Sequence, residues 1–111
     1  MSLATLAEIG IKALRLQEAI DKRRSARLSL SDAYSAYRSR YGNGAYFDKT
    51  SDRYALMMVA TKREHSVLCC AQLDLESARR SLERACKRAQ KELKAGASAE
   101  AAVRRIMEKA A

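Results

Sequence analysis

From Leu6 to Tyr41 the sequence returns an apolar or aromatic residue at alternating steps of three and four, and proline is absent from all 111 residues. The row runs Leu6, Ile9, Ala13, Leu16, Ile20, Arg23, Arg27, Leu30, Tyr34, Tyr37 and Tyr41, with only the two arginines polar. Such spacing puts every member on one narrow stripe of an α-helix, the seam geometry of a coiled coil. It predicts one helix over about residues 3–41. A strand would need alternation in steps of two, and a sandwich or barrel would need turns rich in glycine and proline. The pattern therefore points to an all-α chain. Ser29-Leu30-Ser31-Asp32 has the look of a helix start, but the row stays in phase across it, so the helix is expected to continue.

Gly42 follows the last seam residue, and Arg38 and Arg40 stand in the preceding turn, both signals of a helix end. The stretch 42–50 reads as a glycine-bounded aromatic loop. Thr50 or Ser51 can cap the next helix, and Asp52 suits its first turn. A second heptad row then runs Tyr54, Thr61, Leu68, Leu75, Leu82 and Ala89. Beside it lies an alanine flank of Ala71, Ala78 and Ala85, matched on the first helix by Ala19, Ala26 and Ala33. Small side chains let two helix axes approach closely. The predicted second helix spans about 51–95 and ends near Lys91, Lys94 and Gly96. Ser98 then caps a short third helix over 98–110, with Val103, Ile106, Met107 and Ala110 on one side.

The expected architecture is a single domain, 1–111, built as a long antiparallel helical hairpin of coiled-coil type plus a short C-terminal third helix. Two helices bury little apolar surface at this size, so a second copy is expected to complete a helical bundle as a homodimer.

Composition bounds the compartment and the partner. Lys and Arg number 22 against 13 Asp and Glu, a net charge of +9. That field favours acidic proteins or nucleic acid and weakens with salt. No run of eighteen apolar residues occurs, so no membrane span is expected. The first residues carry Glu8 and no basic start, so a secretory signal is not expected. Cys86 lies 16 residues or more beyond Cys69 and Cys70, roughly 25 Å along one helix, too far for an intrachain disulfide. Reduced thiols and a cytoplasmic location are the expectation.

Catalytic candidates are few. His65 and Cys69 sit one helical turn apart, which is half a zinc site at most, and no third ligand or orienting group is in view. No glycine-rich phosphate cradle occurs. The chain is read as a non-enzyme, with no metal and no cofactor.

All six aromatics lie between residues 34 and 54, which gathers them at one end of a hairpin. Tyr46 and Phe47 stand off the heptad frame in the loop, where exposed rings await a partner. With Arg38, Arg40, Lys49 and Arg53 they form the candidate partner-binding set, because Tyr and Arg dominate binding hot spots. Arg80, Arg84, Lys87, Arg88 and Lys91 form a second candidate, a basic stripe for phosphates or acidic side chains. Two functions follow as expectations. One is a protein-binding module (an inhibitor, regulator or adaptor) that meets an acidic surface with its aromatic tip. The other is a nucleic-acid binder that uses the stripe.

Overall fold

The computed structural model describes residues 2–42 and 49–110, and among them all regular structure is helical. Helix α1 spans Leu3–Tyr41, α2 Asp52–Ala60 and α3 Lys62–Ala110. The chain divides into two compact units. Unit 1 holds residues 1–16 with 77–111, and unit 2 holds residues 17–76.

The ends of α1 follow from local chemistry. The Ser2 hydroxyl accepts the amide of Thr5 at 3.1 Å, which satisfies one donor of the first turn. At the other end Gly42 takes φ +91°, and its amide donates to the Arg38 carbonyl at 2.7 Å. A left-handed residue closing the last carbonyls in this way favours glycine. Ser51 caps α2 as expected, accepting the Tyr54 amide at 3.1 Å, with Asp52 in the first turn.

Two boundaries differ from the sequence reading. The predicted helix over 51–95 is interrupted at Thr61, so the short helix is α2, not a C-terminal segment. Thr61 is buried at φ −103° and ψ 13°. Its hydroxyl donates to the Met57 carbonyl at 2.8 Å, the same carbonyl its amide reaches at 3.0 Å. Threonine back-bonding to the preceding turn bends or breaks helices in this manner. The second difference is at Gly96. The expected stop there and the separate helix over 98–110 are not found, because α3 runs through to Ala110. Gly96 does not take positive φ, and the alanines at 95, 97, 99, 101 and 102 supply strong helix propensity around it. One interior glycine costs about 1 kcal/mol, too little to stop such a run.

Within unit 2, α1 and α3 run antiparallel, with Tyr34 opposite His65 of α3 and Met58 of α2. The core of this unit is Ala19, Ala26, Leu30, Met57, Ala71 and Leu75, with Thr61 among them. Within unit 1 the two helices are again antiparallel. Thr5 meets Glu92, and Glu8 meets Arg88. Its buried core is Ala85 and Ala89.

The α3 row lies where expected, with Leu68, Leu75, Leu82 and Ala89 turned inward. On α1 the inner face is rotated by about one residue from the predicted stripe. Ile9, Leu16, Ile20, Arg23, Leu30, Tyr34 and Tyr37 stay on it, whereas Leu6, Ala13, Arg27 and Tyr41 are exposed and Ala19, Ala26 and Ala33 are turned inward beside the row. Alanine between the axes permits close approach. The same rotation releases the Arg27 charge to water, where burial would have been costly.

Candidate functional site

The aromatic end belongs to unit 2. Tyr34, Tyr37 and Tyr41 follow one another at heptad steps, so they project from neighbouring turns of α1. The rings of Tyr37 and Tyr41 are 4.6 Å apart at 41°, a tilted contact. Tyr34 turns inward. Its hydroxyl hydrogen-bonds His65 Nε2, lies 3.7 Å from Met58 Sδ, and its ring meets the His65 imidazole edge-on at 5.5 Å. Burial pushes the Tyr34 phenol above its ordinary value, with Tyr54 nearby adding to the effect. Tyr34 and His65 are thus a packed polar pair, and the imidazole is directed at a tyrosine rather than at Cys69.

Around this knot the expected basic residues are arranged as follows. The Arg38 guanidinium stands 5.9 Å from the Tyr34 ring centre, half-buried. The Arg40 guanidinium stands 5.4 Å from the Tyr41 ring. Both distances suit cation–π attraction. Lys49 and Arg53 are exposed. Tyr46 and Phe47 lie outside the described residues.

A cleft of about 340 Å³ opens beside the ring pair, lined by Tyr37, Arg40, Tyr41 and Glu64 over a floor of Ala33 and Thr61. Tyr41 is 53% exposed, and α2 turns Leu56 and Val59 outward at 61% and 72%. The two α2 residues went unnoticed in the sequence reading. The signal that could have found them is the α2 heptad phase, which sends 54, 57 and 58 inward and leaves 56 and 59 outside.

The basic stripe lies on α3 in unit 1. Arg80, Arg84, Lys87 and Lys91 are exposed, and their spacing of three and four keeps them on one side. Arg88 is exposed on the same side and is ion-paired with Glu8 of α1. Glu8 also holds Lys12 at 3.1 Å. The hydrogen bond from Lys12, aided by the Arg88 charge, keeps the Glu8 carboxyl below its ordinary value of 4.5.

A groove of about 670 Å³ runs between α1 and α3 in unit 2, a feature absent from the sequence reading. Its floor is Ala26 and Ala71 and its walls include Ser25, Ser29, Ser66 and Cys70. The small side chains at heptad spacing were its signal.

Cys69, Cys70 and Cys86 are free thiols. Among the described residues no group of three or more His, Cys, Asp or Glu is assembled to hold a metal ion. No helix among them is long and apolar enough to cross a membrane. No family model, no curated protein and no solved structure matches the chain.

Proposed function

We propose that this protein is a non-enzymatic protein-binding module, an inhibitor, regulator or adaptor, that engages an acidic protein surface with its aromatic end. The observation that carries the reading is the Tyr37–Tyr41 ring pair beside Arg40, at the lip of a cleft, with Tyr41 exposed there and Leu56 and Val59 exposed on α2. Exposed rings and aliphatics rimmed by cations suit a partner with an apolar centre and an acidic border. The net charge of +9 would speed the encounter. The loop residues Tyr46 and Phe47 belong to the same proposed surface. So does self-association: alanine dominates the core and large apolar side chains remain outside, so a homodimer is part of the reading.

The test is capture of a partner from lysate treated with nuclease, comparing the wild type with the pair Arg40→Ala and Tyr41→Ala. Loss of capture by the variant, with helicity and melting retained, supports the proposal. Undiminished capture sinks it.

The alternative reading is nucleic-acid binding through Arg80, Arg84, Lys87 and Lys91, favoured by their shared exposed side of α3. A binder that neutralises four phosphates shows log affinity falling with log salt at a slope of about −3.6 on duplex DNA. A protein that is not retained on duplex or single strands at low salt removes this alternative.

A further inference from the structure

In unit 1 the two halves of the interface are unequal in length. Thr5 meets Glu92, so α1, which begins at Leu3, runs out opposite about residue 94 of α3. Helix α3 continues to Ala110, roughly 24 Å further at 1.5 Å per residue. Its inward rows do not stop where α1 stops. The row Leu82, Ala89 continues as Gly96, Val103 and Ala110, and the row Ala78, Ala85 continues past Glu92 as Ala99 and Ile106. The small residues that let α1 approach at Ala85 and Ala89 therefore recur along a stretch that none of the described residues covers. Every residue from 90 to 110 is exposed, with Val103 at 55% and Ile106 at 67%. Water is a poor medium for a row written to receive a helix, since an isolated segment of this length gains most of its stability from packing.

We propose that this α3 overhang is a self-association surface, on which the overhang of a second copy lies antiparallel in the place α1 would occupy. The proposal deepens the homodimer reading by naming its face. Continuity with the α1–α3 interface decides the occupant: the surface asks for an antiparallel helix with small and aliphatic residues in the same phase, and the overhang itself answers that description. A two-fold axis beside Val103 sets Val103 against its copy, Ala99 against Met107 of the second copy, and Gly96 against Ala110. Charge selects the direction. Glu100 and Arg104 stand at the rim of the shallow concavity formed with Ala99, Val103 and Met107. In the antiparallel register Glu100 comes within reach of Arg104 of the second copy, on the same flank of the contact. A parallel pair in register would set Glu100 against Glu100 and Arg104 against Arg104, which is repulsive. The contact is short, near the lower bound of about 1,000 Å² for specific interfaces, so the dimer is weak, on the order of 10 µM.

The experiment is sedimentation equilibrium across that concentration range, on the full chain and on Val103→Asp and Ala101→Asp. Ala101 lies on the opposite side of the helix, so its variant controls for loss of helicity. The expected result is a wild-type dimer, at least tenfold weaker association for Val103→Asp and no change for Ala101→Asp. A second arm places one cysteine in a background of Cys69→Ser, Cys70→Ser and Cys86→Ser. Val103→Cys should cross-link on oxidation, and Ala101→Cys should not. A wild type that stays monomeric far above 10 µM overturns the proposal, as does equal weakening by both aspartates or cross-linking at position 101. Partner capture by the aromatic end is scored separately through Tyr41, so either conclusion can fall without the other.

Discussion

The two units use the same pair of helices in opposite ways. In unit 2 the layer between the helices is apolar, with Leu30, Met57 and Leu75 set among alanines. In unit 1 the inner side of α1 carries Thr5, Glu8 and Lys12, which engage Glu92, Arg88 and one another, while Leu3, Leu6, Ile11 and Leu14 are exposed. The first segment of α1 is apolar over most of its circumference, and Thr5, Glu8 and Lys12 share its inner side with Ile9 and Leu16. Unit 2 thus resembles an ordinary small core. Unit 1 holds its register by exposed ion pairs, which are individually weak, and leaves its greasiest surface outside. Stability and surface chemistry are divided between the two units.

The largest effect should come from Met57, the most deeply buried large side chain among the described residues. Met57→Ala should lower unfolding free energy by about 3 kcal/mol in a urea titration, and Leu14→Ala in unit 1 by no more than about 0.5 kcal/mol. Equal losses would break the contrast. Next, Ala71→Leu forces bulk between closely spaced axes and should cost about 2 kcal/mol, whereas Ala101→Leu on the overhang should be nearly neutral. The glycines give a smaller pair of effects with opposite signs. Gly42→Ala is strained by its left-handed backbone and should destabilise by about 1 kcal/mol, while Gly96→Ala, whose added methyl meets open space, should stabilise by about 0.7 kcal/mol. A loss at Gly96 would restore a helix stop there.

The smallest effect concerns Glu8, whose side chain is half-exposed. Its carboxyl is held below 4.5 in the folded chain, chiefly by the Lys12 hydrogen bond. The contribution is complete above that value and fades as pH falls through the lowered one. Glu8→Gln should therefore flatten the acid limb of a stability–pH curve slightly and leave neutral stability almost unaltered. A deep change at neutral pH would show that unit 1 depends on this pair far more than its exposure implies.

Signals that act within one turn were readable in the sequence. The span of α1, the Gly42 terminus, the Ser51 cap and the inward row of α3 all rest on neighbours three or four residues away. Thr61 escaped notice because its position in a heptad row suggests an ordinary seam residue, whereas its hydroxyl competes for the backbone. Gly96 misled because the end of a helix needs a change of backbone conformation, and the alanines around it oppose one. The phase of α1 was off by a residue because periodicity rewards large side chains, and close approach rewards small ones. The ion pair of Arg88 escaped notice because its carboxylate lies eighty residues earlier in the chain, a pairing no local pattern reveals. The tyrosine cluster was legible from its confinement to one stretch of sequence. The outward Leu56 and Val59 were not, since they matter only once α2 stands apart as its own helix.

The alanines at the centre of both units also shape how this protein can drift. At Ala19, Ala26, Ala71, Ala85 and Ala89 a larger residue wedges the helices apart and glycine loosens them, so nearly every single mutation there is a step downhill. The outer faces carry no such restriction. Inheritance should therefore leave a thin, almost unchanging spine inside a coat of side chains free to be rewritten for new company.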